Sequence, residues 1–340
     1  MKRHVLAVRL DSDGDVLVTG PAIRAVAAGA SRVTLLSGPR GRQAASLLPG
    51  VDRLVVHRAA WIDPEPERVD RATALALVRE LSALEADEAV IFTSFHQSAL
   101  PTALLLRMAG IPRIGAISED YPGSLLDVRH RVDHDIHEVE RALSLAAACG
   151  FQLPPGDDGR LRVRRPPHPL RLQPGYVVVH PGASVPARAW PAEHHGELVE
   201  RLVGSGRQVV VTGSPDERDL TASVSGNDPR VLNLGGYTTF GQLADILADA
   251  SAAVVGNTGP AHLAAAVGTP VVSLFAPVVP AVRWRPWGVP HVLLGDQRAA
   301  CAGSRARECP VRGHPCLASV SPENVMAALE ELAPREAVAL

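Results

Sequence analysis

The feature that most constrains this chain is a recurring unit, a short apolar strand followed by a small polar turn and a helix-like stretch, repeated on both sides of one interruption. Residues 4–10 are aliphatic and β-branched and of strand length. They run into Asp11-Ser12-Asp13-Gly14-Asp15, a polar glycine turn, after which 16–28 reads as helix. The unit recurs with a strand at 32–36, a turn at 38–41 and a short helix at 43–48, then a strand at 54–56, a helix at 69–84 and a strand at 89–92. Strands that alternate with helices pair in parallel, so the pattern predicts an α/β fold with a doubly wound sheet.

Residues 153–175 break the rhythm. Pro154, Pro155, Pro166, Pro167, Pro169 and Pro174 stand among Gly, Asp and Arg, a density that forbids a long helix and suits a linker. Beyond it the alternation resumes: strands at 176–180, 208–212, 252–255 and 271–275, helices at 192–205, 240–250 and 262–267. The expected organisation is a first domain at 1–152, the proline-rich linker, and a second domain at 176–320. A last helix at 322–332, within the closing segment 321–340, is expected to pack back on the first domain. A length of 340 residues agrees with two cores rather than one. Two such domains, Rossmann-like and doubly wound, are expected to face each other across a cleft, with ligands beyond the carboxyl ends of the strands.

A net charge of −2 lacks the basic footprint that phosphate-backbone binding requires, which argues against nucleic acid as a partner. The opening apolar run already contains Arg9 and ends at Asp11, so it does not read as a secretion signal. No apolar run reaches the roughly 20 residues that span a bilayer. The expectation is a cytoplasmic protein without a transmembrane segment, with peripheral membrane contact left open. Cys149, Cys301, Cys309 and Cys316 lack the paired CxxC spacing of a zinc site and read as reduced structural thiols. The 34 basic side chains include one lysine, Lys2, so an arginine where another protein carries lysine says little here.

Two loops carry most of the chemistry. Gly256-Asn257-Thr258-Gly259-Pro260-Ala261-His262 lies between a strand and a helix. A small-residue turn that opens a helix offers main-chain N–H groups and the positive end of the dipole to a pyrophosphate. The plainer reading is a simple turn capped by His262. The second loop, His180-Pro181-Gly182-Ala183-Ser184 through Arg188 to Trp190-Pro191, also joins a strand to a helix. It carries Arg188, whose planar fork matches phosphate oxygens. Its plainer reading is a solvated surface charge.

In this order the two loops resemble those of the bacterial heptosyltransferases, glycosyltransferase family 9. In that family a strand ends in H-P-G-A-S, a basic residue stands two before Trp-Pro, and a later strand ends in D-T-G-P-x-H-L-A-A-A-x-G-T-P. Here the later stretch runs from Asn257 through Thr258-Gly259-Pro260-Ala261-His262-Leu263 to Gly268-Thr269-Pro270. The opening, with Arg9, Ser12, Gly14-Asp15 and Pro21, resembles the family's first signature, and Cys309 with Gly313-His314-Pro315-Cys316-Leu317 resembles its late cysteine segment. The likeness touches both domains and is weakest between about residues 57 and 170.

The resemblance implies a GT-B fold and an inverting glycosyltransferase. It would move a heptose or related sugar from an ADP-activated or similar nucleotide-diphosphate donor to the hydroxyl of a glycan or small-molecule acceptor. Lipopolysaccharide core is the family's usual acceptor. Asp15 inherits the role of general base, with Asp13 and Gly14 on the acceptor side. Read from the residues alone, Asp15 is first of all a cap for the helix that starts at Val16. Ser184, Arg188, Thr258, Gly259 and His262 inherit contacts to the donor phosphates, Asn257 stands at the family's aspartate, and Glu217 matches the acidic residue that accepts hydrogen bonds from the ribose. No metal and no cofactor is implied, because helix dipoles and basic side chains offset the leaving charge in this fold. Two other readings stand beside this one: a UDP-sugar 2-epimerase of the same architecture, and a nucleotide-sugar-binding protein without turnover.

Overall fold

The computed structural model describes residues 3–165 and 172–334. The chain divides into two compact units, Met1–Arg164 and Arg165–Leu340. In the first, β1 (Arg3–Arg9), α1 (Asp13–Gly29), β2 (Ala30–Ser37), α2 (Arg42–Leu47), β3 (Arg53–Val56) and α3 (Arg71–Ser82) come first. They are followed by β4 (Glu88–Ile91), α4 (Leu100–Met108), β5 (Arg113–Ile117), β6 (Val128–His130) and α5 (Glu138–Ala148). The six strands form one sheet in the order β3-β2-β1-β4-β5-β6, and all the pairs are parallel.

The second unit repeats this plan with β7 (Val177–His180), α6 (Ala192–Gly204), β8 (Val209–Val211), α7 (Arg218–Ser225), β9 (Val231–Asn233) and α8 (Phe240–Ala248). Then come β10 (Ala252–Gly256), α9 (Gly259–Val267), β11 (Val271–Leu274), α10 (Ala281–Trp284), β12 (His291–Leu294), α11 (Pro315–Ala318) and α12 (Pro322–Leu332). Its sheet runs β12-β11-β10-β7-β8-β9, again all parallel. The α/β class and the doubly wound sheets are as the alternation predicts.

The central strands are covered on both faces, so they read as continuous apolar runs rather than alternating ones. Val177, Val178 and Val179 of β7 and Ala252 to Val255 of β10 are all buried. In each unit the strand order reverses direction beside its first strand, between β1 and β4 and between β7 and β10. The connections on the two sides of that point leave in opposite directions, and the opening they leave at the strands' carboxyl ends is where such sheets take ligands. Register brings the relevant ends level: Val8 pairs with Ile91, and Val255 with His180.

Three expectations change. Helix α1 begins at Asp13 rather than at residue 16, because Ser12 caps it and the Asp15 carboxylate reaches back to the Ser12 N–H at 3.2 Å. Asp13, Gly14 and Asp15 therefore lie in the first helical turn, not in a free loop. The first half of the expected linker is not free either. Asp157 grips Arg24 of α1 through two bonds of 2.7 and 2.9 Å, Leu161 is buried, and the Arg164 N–H donates to the Leu47 carbonyl at 2.7 Å. Pro166, Pro167 and Pro169 of that stretch lie outside the described residues. Finally, α12 packs on α6 and on β10 to β12, with Val325, Ala328 and Leu329 in the second unit's core. Its apolar face is used by the sheet nearest to it in sequence. Residues 335–340 of the closing segment lie outside the described residues.

Candidate functional site

The first unit's switch point holds a buried ionic network. Arg9 ends β1 at 2% exposure, a guanidinium where the strand's pattern calls for an apolar side chain. Its Nε lies 3.0 Å from Asp11 Oδ2, one Nη 3.1 Å from Asp15 Oδ1, and the other 4.0 Å from Glu138 Oε2 at the start of α5. It also donates to Ser94 Oγ at 2.8 Å, just past β4. Burial by itself would lower the Arg9 pKa, but Asp11, Asp15 and Glu138 raise it, so the group stays charged. Arg141 reaches the same Glu138 oxygen at 3.6 Å.

Asp15 serves two partners with two oxygens. Oδ2 accepts from the Ser12 hydroxyl at 2.6 Å and from its N–H, while Oδ1 faces Arg9 and the Ser94 hydroxyl at 3.3 Å. It caps the helix as the plainer reading holds, and its side chain keeps 19% of its surface exposed. Asp11 is more enclosed, at 8%, and Gln97 Nε2 donates to its Oδ1. Burial, reinforced by Asp15 and Glu138, pushes Asp11 up to about 6 against the pull of Arg9 and Gln97.

Asp13 points the other way. Its Oδ1 accepts the Ala44 N–H at 2.8 Å, which ties α1 to the start of α2, and burial pushes it up to about 6. Gly14 is buried in the same helical turn.

At the second switch point the loops after β7 and β10 meet. An Nη of Arg188 donates to the Asn257 carbonyl at 3.3 Å across 69 residues of sequence, and a Cβ on Gly256 would stand 3.3 Å from the Arg188 carbonyl. Ser184 is exposed on the first loop. Asn257 is 4% exposed, and its Nδ2 is a buried donor with no hydrogen-bond partner among the described residues. Helix α9 starts at Gly259 rather than at His262, because Thr258 takes the extended N-cap conformation and Pro260 occupies the first turn. His262 is thereby drawn inside, 3% exposed, with its ring edge-on to Trp284 at 6.3 Å. Sequence reading placed it on the loop; helix geometry makes it part of the wall.

Glu217 accepts the Ser214 N–H at 2.8 Å, and its carboxyl group lies where a side chain on Gly182 would stand, 2.1 Å from an added Cβ. Only glycine at 182 lets the carboxylate rest against the first loop. His180 bonds Thr212 Oγ1 at 3.0 Å and approaches Glu217 at 3.9 Å. Burial holds the His180 pKa down despite Glu217, so the ring is neutral and this approach is not an ion pair. His195, beside it, is pushed down to about 3 by burial and by the neighbouring His180 and His194. Trp190 is core: it is buried and donates to the Val320 carbonyl at 3.0 Å.

The structure thus assembles Arg188 with Asn257, Thr258 and Gly259, and sets Glu217 on the Gly182 turn of Arg188's own loop. It groups Asp15 with Asp11, its near neighbour in the sequence, and with three residues that sequence reading passed over: Ser94, Gln97 and Glu138. A charged residue inside an apolar strand, Arg9, was the available signal for them. The cysteines are free. Cys301 and Cys316 are buried in the second core, and burial beside Cys301 and Cys309 raises Cys316 to about 11. Among the described residues no three His, Cys, Asp or Glu side chains group as metal ligands, and no helix is long and apolar enough to cross a membrane.

Residues 74–314 match the family model described as glycosyltransferase family 9 (heptosyltransferase). The chain is 29% identical over 217 residues to lipopolysaccharide heptosyltransferase 3 of Escherichia coli strain K12. That stretch covers 60% of this chain and 62% of the relative's length, so the match spans less than two thirds of that protein. In structure it is similar to a family 9 glycosyl transferase from Veillonella parvula DSM 2008, with a TM-score of 0.78, 18% identity, and 97% of each chain covered. It is also similar to an E. coli heptosyltransferase with ADP-2-deoxy-2-fluoro heptose, with a TM-score of 0.73, 21% identity, and 96% and 99% of the two chains covered. At these identities the structural likeness speaks to the fold.

Proposed function

Because this chain belongs to glycosyltransferase family 9, we propose that it transfers a heptose or closely related sugar from an ADP-activated donor to an acceptor hydroxyl, with inversion at the anomeric carbon. The second unit holds the donor. Arg188 and the start of α9 at Thr258 and Gly259 receive the diphosphate, and the dipole and guanidinium offset the charge that grows on it as the bond to the sugar breaks. Ser184 adds a hydroxyl, Glu217 accepts from the ribose, and the buried Nδ2 of Asn257 gains an acceptor. His262 backs the loop from inside.

Asp15 of the first unit is the general base. Its exposed edge takes the proton from the acceptor hydroxyl, and Arg9, Ser12 and Ser94 fix its orientation. The acceptor is a glycan or a small molecule that offers a hydroxyl; lipopolysaccharide is the substrate that the relatives' names indicate. The protein works in the cytoplasm, where nucleotide sugars are made.

The observation that most supports this reading is the bond between Arg188 and the Asn257 carbonyl, which joins the two loops at the switch point. The test is a thermal-shift panel of ADP-, GDP-, UDP- and dTDP-sugars followed by an assay for nucleotide release with acceptor. An ADP-sugar alone should raise the melting temperature, by mass action on the folded state. Stabilisation by a UDP-sugar and not by ADP-heptose would overturn the donor assignment. Binding with no nucleotide release across acceptor classes would overturn catalysis.

A further inference from the structure

Asp11 has no part in the transfer described above, yet it is the more enclosed of the two aspartates on Arg9. The Ser94 hydroxyl lies 3.4 Å from Asp11 Oδ2 and 3.3 Å from Asp15 Oδ1, and its oxygen accepts from Arg9 at 2.8 Å. A serine hydroxyl has one proton to donate, so it can serve only one carboxylate at a time. The geometry is that of a shuttle between two acids held by one guanidinium.

We propose that Asp11 is a positioning residue that holds protons for Asp15: the proton taken from the acceptor moves on through Ser94 to Asp11. The proposal rests on Asp15 being the base. As the acceptor oxygen bonds the anomeric carbon, its O–H bond breaks and the proton goes to Asp15, while the sugar's bond to the diphosphate breaks with the electron pair on phosphate. Ser94 Oγ then takes that proton and gives its own to Asp11 Oδ2. Serine is unchanged, Asp15 is charged again, and Asp11 is neutral until it releases the proton to solvent. The groups facing Asp11 are Arg9 from β1, Asp15 from α1, Ser94 and Gln97 after β4, and Glu138 from α5, which is itself met by Arg141. Burial among them makes Asp11 a better proton holder near neutrality than an exposed carboxylate.

The test uses the full chain, wild type, Asp11→Asn and Ser94→Ala, with ADP-heptose and a competent acceptor. For both variants kcat should fall roughly ten- to a hundredfold with KM for both substrates unchanged. The wild-type rise of kcat/KM through about pH 6 should disappear in Asp11→Asn. Values of kcat and a pH profile within twofold of wild type in both variants would overturn the proposal. If Asp11→Asn fails to fold, the pH profile of Ser94→Ala decides it: the rise through about pH 6 should be lost, and a wild-type profile overturns the proposal. Carbon NMR titration of the aspartate carboxyls needs no turnover and separates this idea from the reading it rests on. If wild type transfers nothing, the base assignment fails. Asp11 titrating like an exposed carboxylate overturns the proton-holding role whatever the assay shows.

Discussion

The two switch points are built alike and finished differently. Beside β1 and β4 the charged groups are already matched: Arg9 sits among Asp11, Asp15 and Glu138, and Ser12, Ser94 and Gln97 donate to the two aspartates. Beside β7 and β10 the two ring side chains of the wall are neutral and the polar groups are under-matched. His180 and His195 are held uncharged by burial, and the Asn257 amide lacks an acceptor among the described residues. A site that must keep one carboxylate in one orientation is best wired in advance. A site that must receive a diphosphate needs donors not yet spoken for.

The largest break in that contrast is Asp15→Asn. It should lower kcat by roughly 10²–10⁴-fold while donor affinity by calorimetry stays within about twofold of wild type; a matching loss of donor binding would mean that the two regions do not divide the work. Next comes Arg9→Met, which takes the guanidinium from Asp11 and Asp15 and leaves Glu138 to Arg141. Denaturant unfolding of the first unit should show a loss of about 3–5 kcal/mol, and an unchanged midpoint would show that the network is not prewired.

Arg188→Ala is the counterpart on the other side. Donor binding should weaken by about 1.5–3 kcal/mol, the worth of a charged hydrogen bond, with little change in melting temperature. A large stability loss would make Arg188 a structural strut. Asn257→Ala should cost about 1 kcal/mol of donor affinity and leave stability level or slightly raised, because it removes an orphan donor.

The smallest effect is in pH, and it has opposite signs in the two regions. Asp11 and Asp13 are raised from 3.8 to about 6, so their ionisation costs the fold stability, a cost absent below about pH 4 and complete above about 6. His195 is depressed from 6.5 to about 3, so the stability it contributes is full above 6.5 and drains as pH falls toward 3. On going from pH 7 to pH 5, protection factors, corrected for the slower intrinsic exchange, should drop around β7 and α6 and rise around β1 and α1. The reverse order would contradict the assignment of these groups.

Much of this was legible along the chain. The strand-turn-helix units, the break near residue 153, and the two helix-opening loops at Arg188 and at Thr258 are local patterns, and local patterns survive without coordinates. Element edges were less legible. The start of α1 moved by one turn because Ser12 and Asp15 cap each other, and α9 gained a turn because Pro260 suits a first helical position. Helices α4, α5, α7, α10 and α11 and strands β5, β6, β9 and β12 lie outside the elements read along the chain, and most of these have only three to five residues.

By itself the sequence determined that this protein has two parallel sheets, that its family is glycosyltransferase family 9, and that Asp15 and Arg188 stand after first strands. Only the tertiary structure decided that Arg9 meets Glu138, that Ser94 stands between two aspartates, that Arg188 reaches the Asn257 carbonyl, and that α12 closes the second core. The reason is physical. Periodicity and capping are set by neighbours a few residues away, whereas these contacts depend on which strands lie side by side, and that order is fixed by burying faces from distant parts of the chain.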